Sequence, residues 1–220
     1  MIIQIAIERR CLQLTDSLSA LASLAGSRSE SRQQFLREMA RSMTSYAPLD
    51  PLQIDSNTLR TIILQVSEQV VYRPLEELRH FYFTYARGAF LLPGYPRLYY
   101  MATNMQNLSP SKSAIGAIGE GVAAILTQRL YQGTLRLARP YHTYPDLVST
   151  DKKSTFMTEA KATVDSVQKA KEVTQEELFR MAQHVSACTT LDIRPVVGLL
   201  IGTSLLDETR YYSVITEVRK

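Results

Sequence analysis

A chain of 220 residues with 45% hydrophobic and 21% charged residues can bury a sizeable core, which excludes a disordered or fibrous protein. The formal net charge of +4 allows nucleic acid as a partner but excludes a polycation. The two cysteines, Cys11 and Cys188, support neither a disulfide framework nor a cysteine-based zinc site. Because no apolar run reaches the ~18 residues of a membrane span and the apolar N terminus is too short for a signal peptide, we expect a cytoplasmic protein without a membrane partner.

The first half of the chain predicts mainly helices. Apolar residues within 2–25 recur at helical rather than alternating spacing, and a second helical segment follows. Ser56 or Asn57 can cap a third helix, although its β-branched residues leave a strand open as the alternative. Pro74 can occupy the first turn of a fourth helix. We therefore expect a mainly helical N-terminal lobe over residues 1–108.

The second half predicts a helix, three strands, a helix and two further strands, in that order. The segments are 113–130 (helix), 134–139, 146–148 and 156–161 (strands), a helix from Thr174, and strands 195–202 and 211–218. Thr174 and Glu177 form a capping-box pattern, which predicts the start of the second helix. The last strand is expected to be the more exposed. This order predicts an α/β (α+β) domain over residues 109–220, with a mixed sheet flanked by helices.

Two residues of opposite charge stand two positions apart in the third predicted strand. Because strand side chains alternate between faces, Glu159 and Lys161 project to one side, and Phe156 and Ala160 project to the other. Asp146, beside the preceding strand, adds a second carboxylate. Two carboxylates next to an ammonium group are typical of an oxygen site for Mg²⁺ adjacent to a positive charge for phosphate.

Pro145-Asp146, Glu159-Ala160-Lys161 and the upstream Glu120 resemble the PD-(D/E)xK, restriction-endonuclease-like nuclease superfamily. The resemblance covers the second half of the chain and implies a restriction-endonuclease-like core. It implies that Asp146, Glu159 and the backbone carbonyl of Ala160 bind Mg²⁺, or Mn²⁺ in its place. Lys161 would orient or help to deprotonate the attacking water and stabilise charge on the phosphate. Glu120 would complete the metal shell or support a second ion.

Several other residues are open to two interpretations. A second acid-x-Lys match, Asp151-Lys152-Lys153, lies in a polar connection, where a solvated turn explains it. Gln183 on the following helix and His142 are accessory candidates near the metal, although an exposed helix face explains Gln183 and His184 about as well. The tyrosines and arginines between residues 79 and 100 suit stacking on unpaired bases and phosphate contact, but they also suit a core edge or a subunit interface.

Three functional hypotheses follow from these patterns. The first is an Mg²⁺-dependent endonuclease or exonuclease that hydrolyses nucleic acid, with DNA favoured, through metal-activated water. Its N-terminal lobe would serve for binding or dimerisation, which leaves a homodimer open. The second is a non-catalytic nucleic-acid-binding or assembly subunit on a nuclease-like fold. The third, a helical interaction protein with an accidental motif, predicts that Asp146 and Glu159 lie far apart.

Overall fold

The computed structural model describes residues 1–24, 29–67, 73–81, 111–138 and 144–220. Within these residues, helices and strands alternate along the chain. The helices are α1 (Asp16–Leu24), α2 (Ser29–Ser42), α3 (Ser56–Val66), α4 (Pro74–Phe81), α5 (Lys112–Tyr131) and α6 (Val167–Cys188). The strands are β1 (Ile2–Gln13), β2 (Ala47–Asp55), β3 (Thr134–Ala138), β4 (Leu147–Thr150), β5 (Thr155–Thr163), β6 (Val196–Leu205) and β7 (Arg210–Arg219).

The seven strands form one mixed sheet in the order β2-β1-β7-β6-β5-β4-β3. The pairs β1–β7 and β5–β6 are parallel, and the other four pairs are antiparallel. Helices cover both faces: α5 packs on β5 with α3 and α4 beside it, and α6 packs on β6 with α1 beside it. This is the mixed α/β class that the sequence predicts for the second half, although its sheet also takes strands from the first half.

The predicted helix over residues 2–25 is wrong for its first half, which is strand β1. Ile3, Ile5 and Ile7 are buried against the α5 side of the sheet, so alternate residues face the core as a strand requires. The mainly helical lobe predicted for residues 1–108 therefore contributes two strands, β1 and β2, to the sheet of the second half. One sheet therefore contains strands from both sides of the predicted boundary between residues 108 and 109.

Strand β2 contains two prolines, Pro48 and Pro51. Proline cannot donate to a β ladder, so it is confined to edge strands and bulges. β2 lies at the edge of the sheet and pairs only with β1 among the described strands, with a register shift between Ile5 and Ile7. The edge position therefore accommodates both prolines.

Small residues let α5 approach its neighbours closely. A Cβ added to Gly119 would lie 2.6 Å from the Cβ of Ala162 on β5, and one added to Gly121 would lie 2.5 Å from Ile63 on α3. Both contacts are closer than carbon atoms normally allow. The glycines therefore set the distance of α5 from the sheet and from α3. Glu120, the residue between the two glycines in the sequence, is buried.

Helix α6 begins at Val167, seven residues before the predicted start at Thr174. Ser166 is the N-cap, and its side chain accepts a hydrogen bond from the Lys169 amide. Thr174 is buried inside the helix, where its hydroxyl donates to the Ala170 carbonyl. The capping-box prediction is therefore wrong, and the side chain of Glu177 is available for another role.

Strand β7 was predicted to be more exposed, but most of it is buried. It lies inside the sheet because β1 pairs with it along its whole length, from Gln4–Arg210 to Gln13–Arg219. Buried Glu217 accepts hydrogen bonds from the Tyr131 hydroxyl at 2.7 Å and from Arg219 at 2.7 Å, and forms an ion pair with Arg9 at 3.2 Å. These contacts join α5 to β1 and β7.

None of the described helices combines the length and the apolar character that a membrane crossing requires.

Candidate active site

The structure brings Asp146 and Glu159 together. In the β4–β5 ladder Leu147 lies opposite Thr158, so the preceding residue, Asp146, falls beside Glu159 on the same face. The Asp146 Oδ2 accepts a hydrogen bond of 2.7 Å from the Ala160 amide. Both carboxyl groups are buried. The hypothesis of an accidental motif predicted that these two residues lie far apart, and that prediction is wrong.

Lys161 lies next to these carboxylates and contacts a third acid. Its Nζ donates to Glu159 Oε1 at 2.8 Å and lies 3.5 Å from Glu177 Oε1 on α6. The predicted alternation is confirmed: Met157, two residues before Glu159, belongs to the core on the α6 side, whereas Phe156 belongs to the core on the α5 side. The charged residues of β5 therefore face α6.

Burial makes ionisation of Glu159 unfavourable. It raises the pKa of Glu159 to about 7, with the charge of Asp146 adding to the rise and the hydrogen bond from Lys161 opposing it. The Glu159 Oε2 atom is buried and has no hydrogen-bond partner among the described residues. The negative charges of Asp146 and Glu159 therefore repel each other, and an added positive charge would relieve this repulsion.

Lys161 is held as a cation. Burial alone would lower its pKa, but the hydrogen bond to Glu159 and the charges of Glu159, Glu177 and Asp146 outweigh burial and raise the pKa above its ordinary value. The Lys161 side chain is 31% exposed, so the ammonium group reaches solvent while keeping both acidic partners. The site can therefore offer a fixed positive charge to an anionic ligand.

An aromatic and basic group borders the acids. The Tyr144 ring lies 4.5 Å from the His184 ring and 4.3 Å from the Arg180 guanidinium, measured to the ring centroid of Tyr144. The His184 Nδ1 donates to the Arg180 carbonyl at 2.8 Å, which leaves Nε2 without the proton in the neutral ring. Burial, together with the negative charge of Glu159, raises the pKa of Tyr144.

The other predicted residues lie in different positions. Glu120 is buried on α5, one residue after the Gly119 contact with β5. Gln183 is half-buried on α6, and its neighbour His184 makes the contact with Tyr144. His142 and the tyrosines between residues 82 and 100 lie outside the described residues.

Sequence reasoning missed Glu177 and Arg180 as parts of this site, and it left His184, like Gln183, open to explanation as an exposed helix face. Glu177 was assigned to a capping box, and the arginine was not singled out. Their spacing of three and then four residues would have placed them on one helix face once α6 was known to begin at Val167. This spacing was visible in the sequence, but the helix was predicted to begin at Thr174 and Glu177 was therefore assigned to its cap.

The residues present fit a divalent cation with few protein ligands. Mg²⁺ is usually held by one or two carboxylates, with waters and substrate phosphates completing its shell. Asp146 and Glu159 supply two hard oxygen donors, and the buried Oε2 of Glu159 lacks a partner in the described part of the chain. Within that part, no group of three or more His, Cys, Asp or Glu side chains is arranged to hold a metal.

Comparisons with protein families, with curated proteins and with solved structures gave no match for this chain. The strand order defines the mixed α/β architecture, and the distances from Lys161 to Glu159 and Glu177 define the cluster of acids. The restriction-endonuclease-like classification remains a prediction from the motif.

Proposed function

We propose that the protein is a metal-dependent phosphodiesterase that hydrolyses nucleic acid, with DNA as the substrate to test first. One observation carries the proposal: two buried carboxylates, Asp146 and Glu159, share one face of the sheet with an ammonium group 2.8 Å from Glu159. Mutually repelling buried acids destabilise a fold unless a cation offsets them. A divalent ion and a phosphate together would satisfy the charges on this face.

Each side chain has a distinct part in the proposed reaction. Asp146 and Glu159 would hold Mg²⁺ or Mn²⁺, and the hydrogen bond from the Ala160 amide fixes the Asp146 carboxylate. A bound divalent ion supplies Lewis-acid polarisation and acidifies water. Lys161, kept protonated by its acidic neighbours, would stabilise negative charge on the scissile phosphate instead of removing a proton. Glu177 would position Lys161 through the contact at 3.5 Å.

The carbonyl of Ala160 and the side chain of Glu120 were predicted as further metal ligands. The Ala160 amide donates to Asp146 Oδ2, so this residue would also take part in the proposed site through its N–H group. Glu120 would contribute from α5 as a ligand of a second ion or as a support. Gln183 and His142 remain accessory candidates, with His184 added to them because of its contact with Tyr144.

The test is cleavage of supercoiled plasmid and of single-stranded DNA in Mg²⁺ or Mn²⁺. We expect Asp146→Asn and Lys161→Met each to lower kcat by at least about 100-fold, since each removes a charge that acts on the reacting phosphate. Asp50→Asn, which changes an exposed acid on edge strand β2, is the matched control and should cleave like the wild type. Equal cleavage by all four proteins would show that the activity arises elsewhere.

A non-catalytic nucleic-acid-binding subunit is the second candidate function. The observation that favours it is that Lys161 already bridges Glu159 and Glu177, so the cation and the acids partly satisfy one another without metal. Calorimetric titration separates the two functions. Binding of Mn²⁺ that is lost in Asp146→Asn supports the enzyme, whereas DNA binding without any binding of Mg²⁺ or Mn²⁺ supports the subunit.

A further inference from the structure

Three cations surround an open groove at the β3 end of the sheet. Arg136 lies on β3, and Lys152 and Lys153 lie in the turn between β4 and β5. All three side chains are exposed, and the groove that they line has a volume of about 700 Å³. Thr134 and Thr150 add hydroxyl groups to its wall. The groove thus offers both charge and hydrogen-bond donors to a ligand.

Among the described residues, no ion pair offsets the positive charge of this groove. Within the described part of the chain, none of the three cations forms a salt bridge with a carboxylate, whereas Lys161, Lys169 and Lys171 each do. Asp151 is the acid that lines the groove. Its Oδ1 accepts the backbone amides of Lys153 and Ser154, which lower its pKa and commit it to shaping the turn. The cations therefore remain available to an anionic partner.

The groove opens on the same face of the sheet as the candidate active site. Asp146 and Thr150 are four residues apart on one strand path, so both project to the α6 side. The Arg136 Nε donates to the Thr150 hydroxyl at 2.9 Å, which brings the guanidinium to that side as well. At about 3.3 Å per residue, Thr150 lies roughly 13 Å from Asp146. Helix α6 covers β5 and β6 on this face, and the β3–β4 end lies beyond them.

We propose that Arg136, Lys152 and Lys153 bind the phosphodiester backbone of the nucleic acid whose scissile phosphate lies at Asp146 and Glu159. This inference rests on the proposed function. The span of roughly 13 Å between Asp146 and Thr150 places the contacted phosphates within a few nucleotides of the cut. The guanidinium fork and two ammonium groups contact phosphate oxygens and do not read base edges, so the groove orients the strand without selecting its sequence.

The test measures DNA binding in EDTA, where a metal-dependent enzyme does not cut. The variant R136Q/K152Q/K153Q is compared with R37Q/R41Q/K112Q, which removes the same charge from exposed residues of α2 and α5. Fluorescence anisotropy of a labelled 20-nucleotide DNA, single- or double-stranded, is followed at several salt concentrations. We expect the groove variant to bind at least tenfold more weakly at 50 mM salt and to lose about 2–3 from the slope of log K against log salt.

The control triple variant should keep both the slope and most of the affinity. Equal losses in the two triple variants would show that only net charge matters, and the proposal would be wrong. It would also be wrong if the groove variant kept wild-type affinity, or if the wild type bound anionic lipid vesicles and not DNA. Arg136→Gln also removes the hydrogen bond to Thr150. The double variant K152Q/K153Q, which is confined to an exposed turn, therefore provides a second measurement. Its slope of log K against log salt should change by about two-thirds as much as that of the triple variant.

Cleavage assays separate this proposal from the proposed function. In Mg²⁺ the groove variant should raise KM at least tenfold with little change in kcat, because it removes binding that is common to the substrate and the transition state. A wild type that binds DNA through the groove without cutting it would refute the nuclease and leave the groove in place. A groove variant that cuts with unchanged KM would refute the groove and leave the nuclease in place.

Discussion

Replacing Glu159 by glutamine should remove a pH dependence of stability that the native site carries. The pKa of this carboxyl rises from an ordinary 4.5 to about 7 because the group is buried beside Asp146. A carboxyl with a higher pKa in the folded than in the unfolded chain binds more protons when folded between those two values. Its stabilising contribution is therefore complete below pH 4.5 and is lost as the pH rises through about 7.

The size of the effect follows from the two pKa values. At about 1.36 kcal/mol for each unit of pKa, the difference between 4.5 and about 7 sets an upper limit of roughly 3 kcal/mol. We expect about 1–2 kcal/mol, because Asp146 and Lys161 adjust as the proton leaves and share the change in charge. The free energy of unfolding of the wild type should therefore fall, relative to Glu159→Gln, by this amount between pH 5 and pH 8.5.

The assay is urea denaturation followed by circular dichroism in EDTA, at half-unit steps from pH 5 to 8.5. The difference between the wild type and Glu159→Gln isolates the site, because the other titrating groups cancel. Asp50→Asn is the control for loss of an exposed carboxylate and should follow the wild type. Parallel curves for the wild type and Glu159→Gln, within about 0.5 kcal/mol, would refute the reasoning.

At pH 8, Mg²⁺ at 100 times its Kd should stabilise the wild type by about 2.7 kcal/mol and leave Glu159→Gln unchanged.

Three further predictions concern packing and burial. Gly119→Ala should lower the free energy of unfolding by about 1–3 kcal/mol in urea denaturation, because the new Cβ would lie 2.6 Å from the Ala162 Cβ. Adding Ala162→Gly should recover most of that loss, and an equal loss in the double variant would contradict the contact. Glu217→Ala should cost about 2–3 kcal/mol, because it leaves a tyrosine and two half-exposed arginines without their shared acceptor, whereas Glu217→Gln should cost less. Burial raises the pKa of Cys11 and of Cys188, so both thiols should react with iodoacetamide more slowly than free cysteine at pH 8, and matching rates would show that burial has no such effect.

The local part of the site was predictable because it depends on one strand. Alternation alone placed Glu159 and Lys161 on a common face, and the structure confirms that they contact each other at 2.8 Å. The pairing of that strand with β4 then brings Asp146 beside Glu159. The spacing of Glu177, Arg180 and His184 indicates a shared helix face, but the approach of Glu177 to Lys161 was not predictable, because it depends on where α6 crosses the sheet. Gly198 and Gly202 on β6 decide that crossing, since a Cβ at either would meet α6 at 2.5–2.8 Å.

The sequence by itself determined the elements of the second half, their order and the charged pattern of β5, because each depends on periodicity and turn residues within a short segment. Only the tertiary structure decided where the first half belongs. Strand β1 lies inside the sheet because it pairs with β7, some 200 residues later in the chain, as well as with β2. The same long-range pairing buried β7. The cationic turn at Lys152 and Lys153 was visible from the start, but only the register of β3, β4 and β5 places it on the face of Asp146 and Glu159.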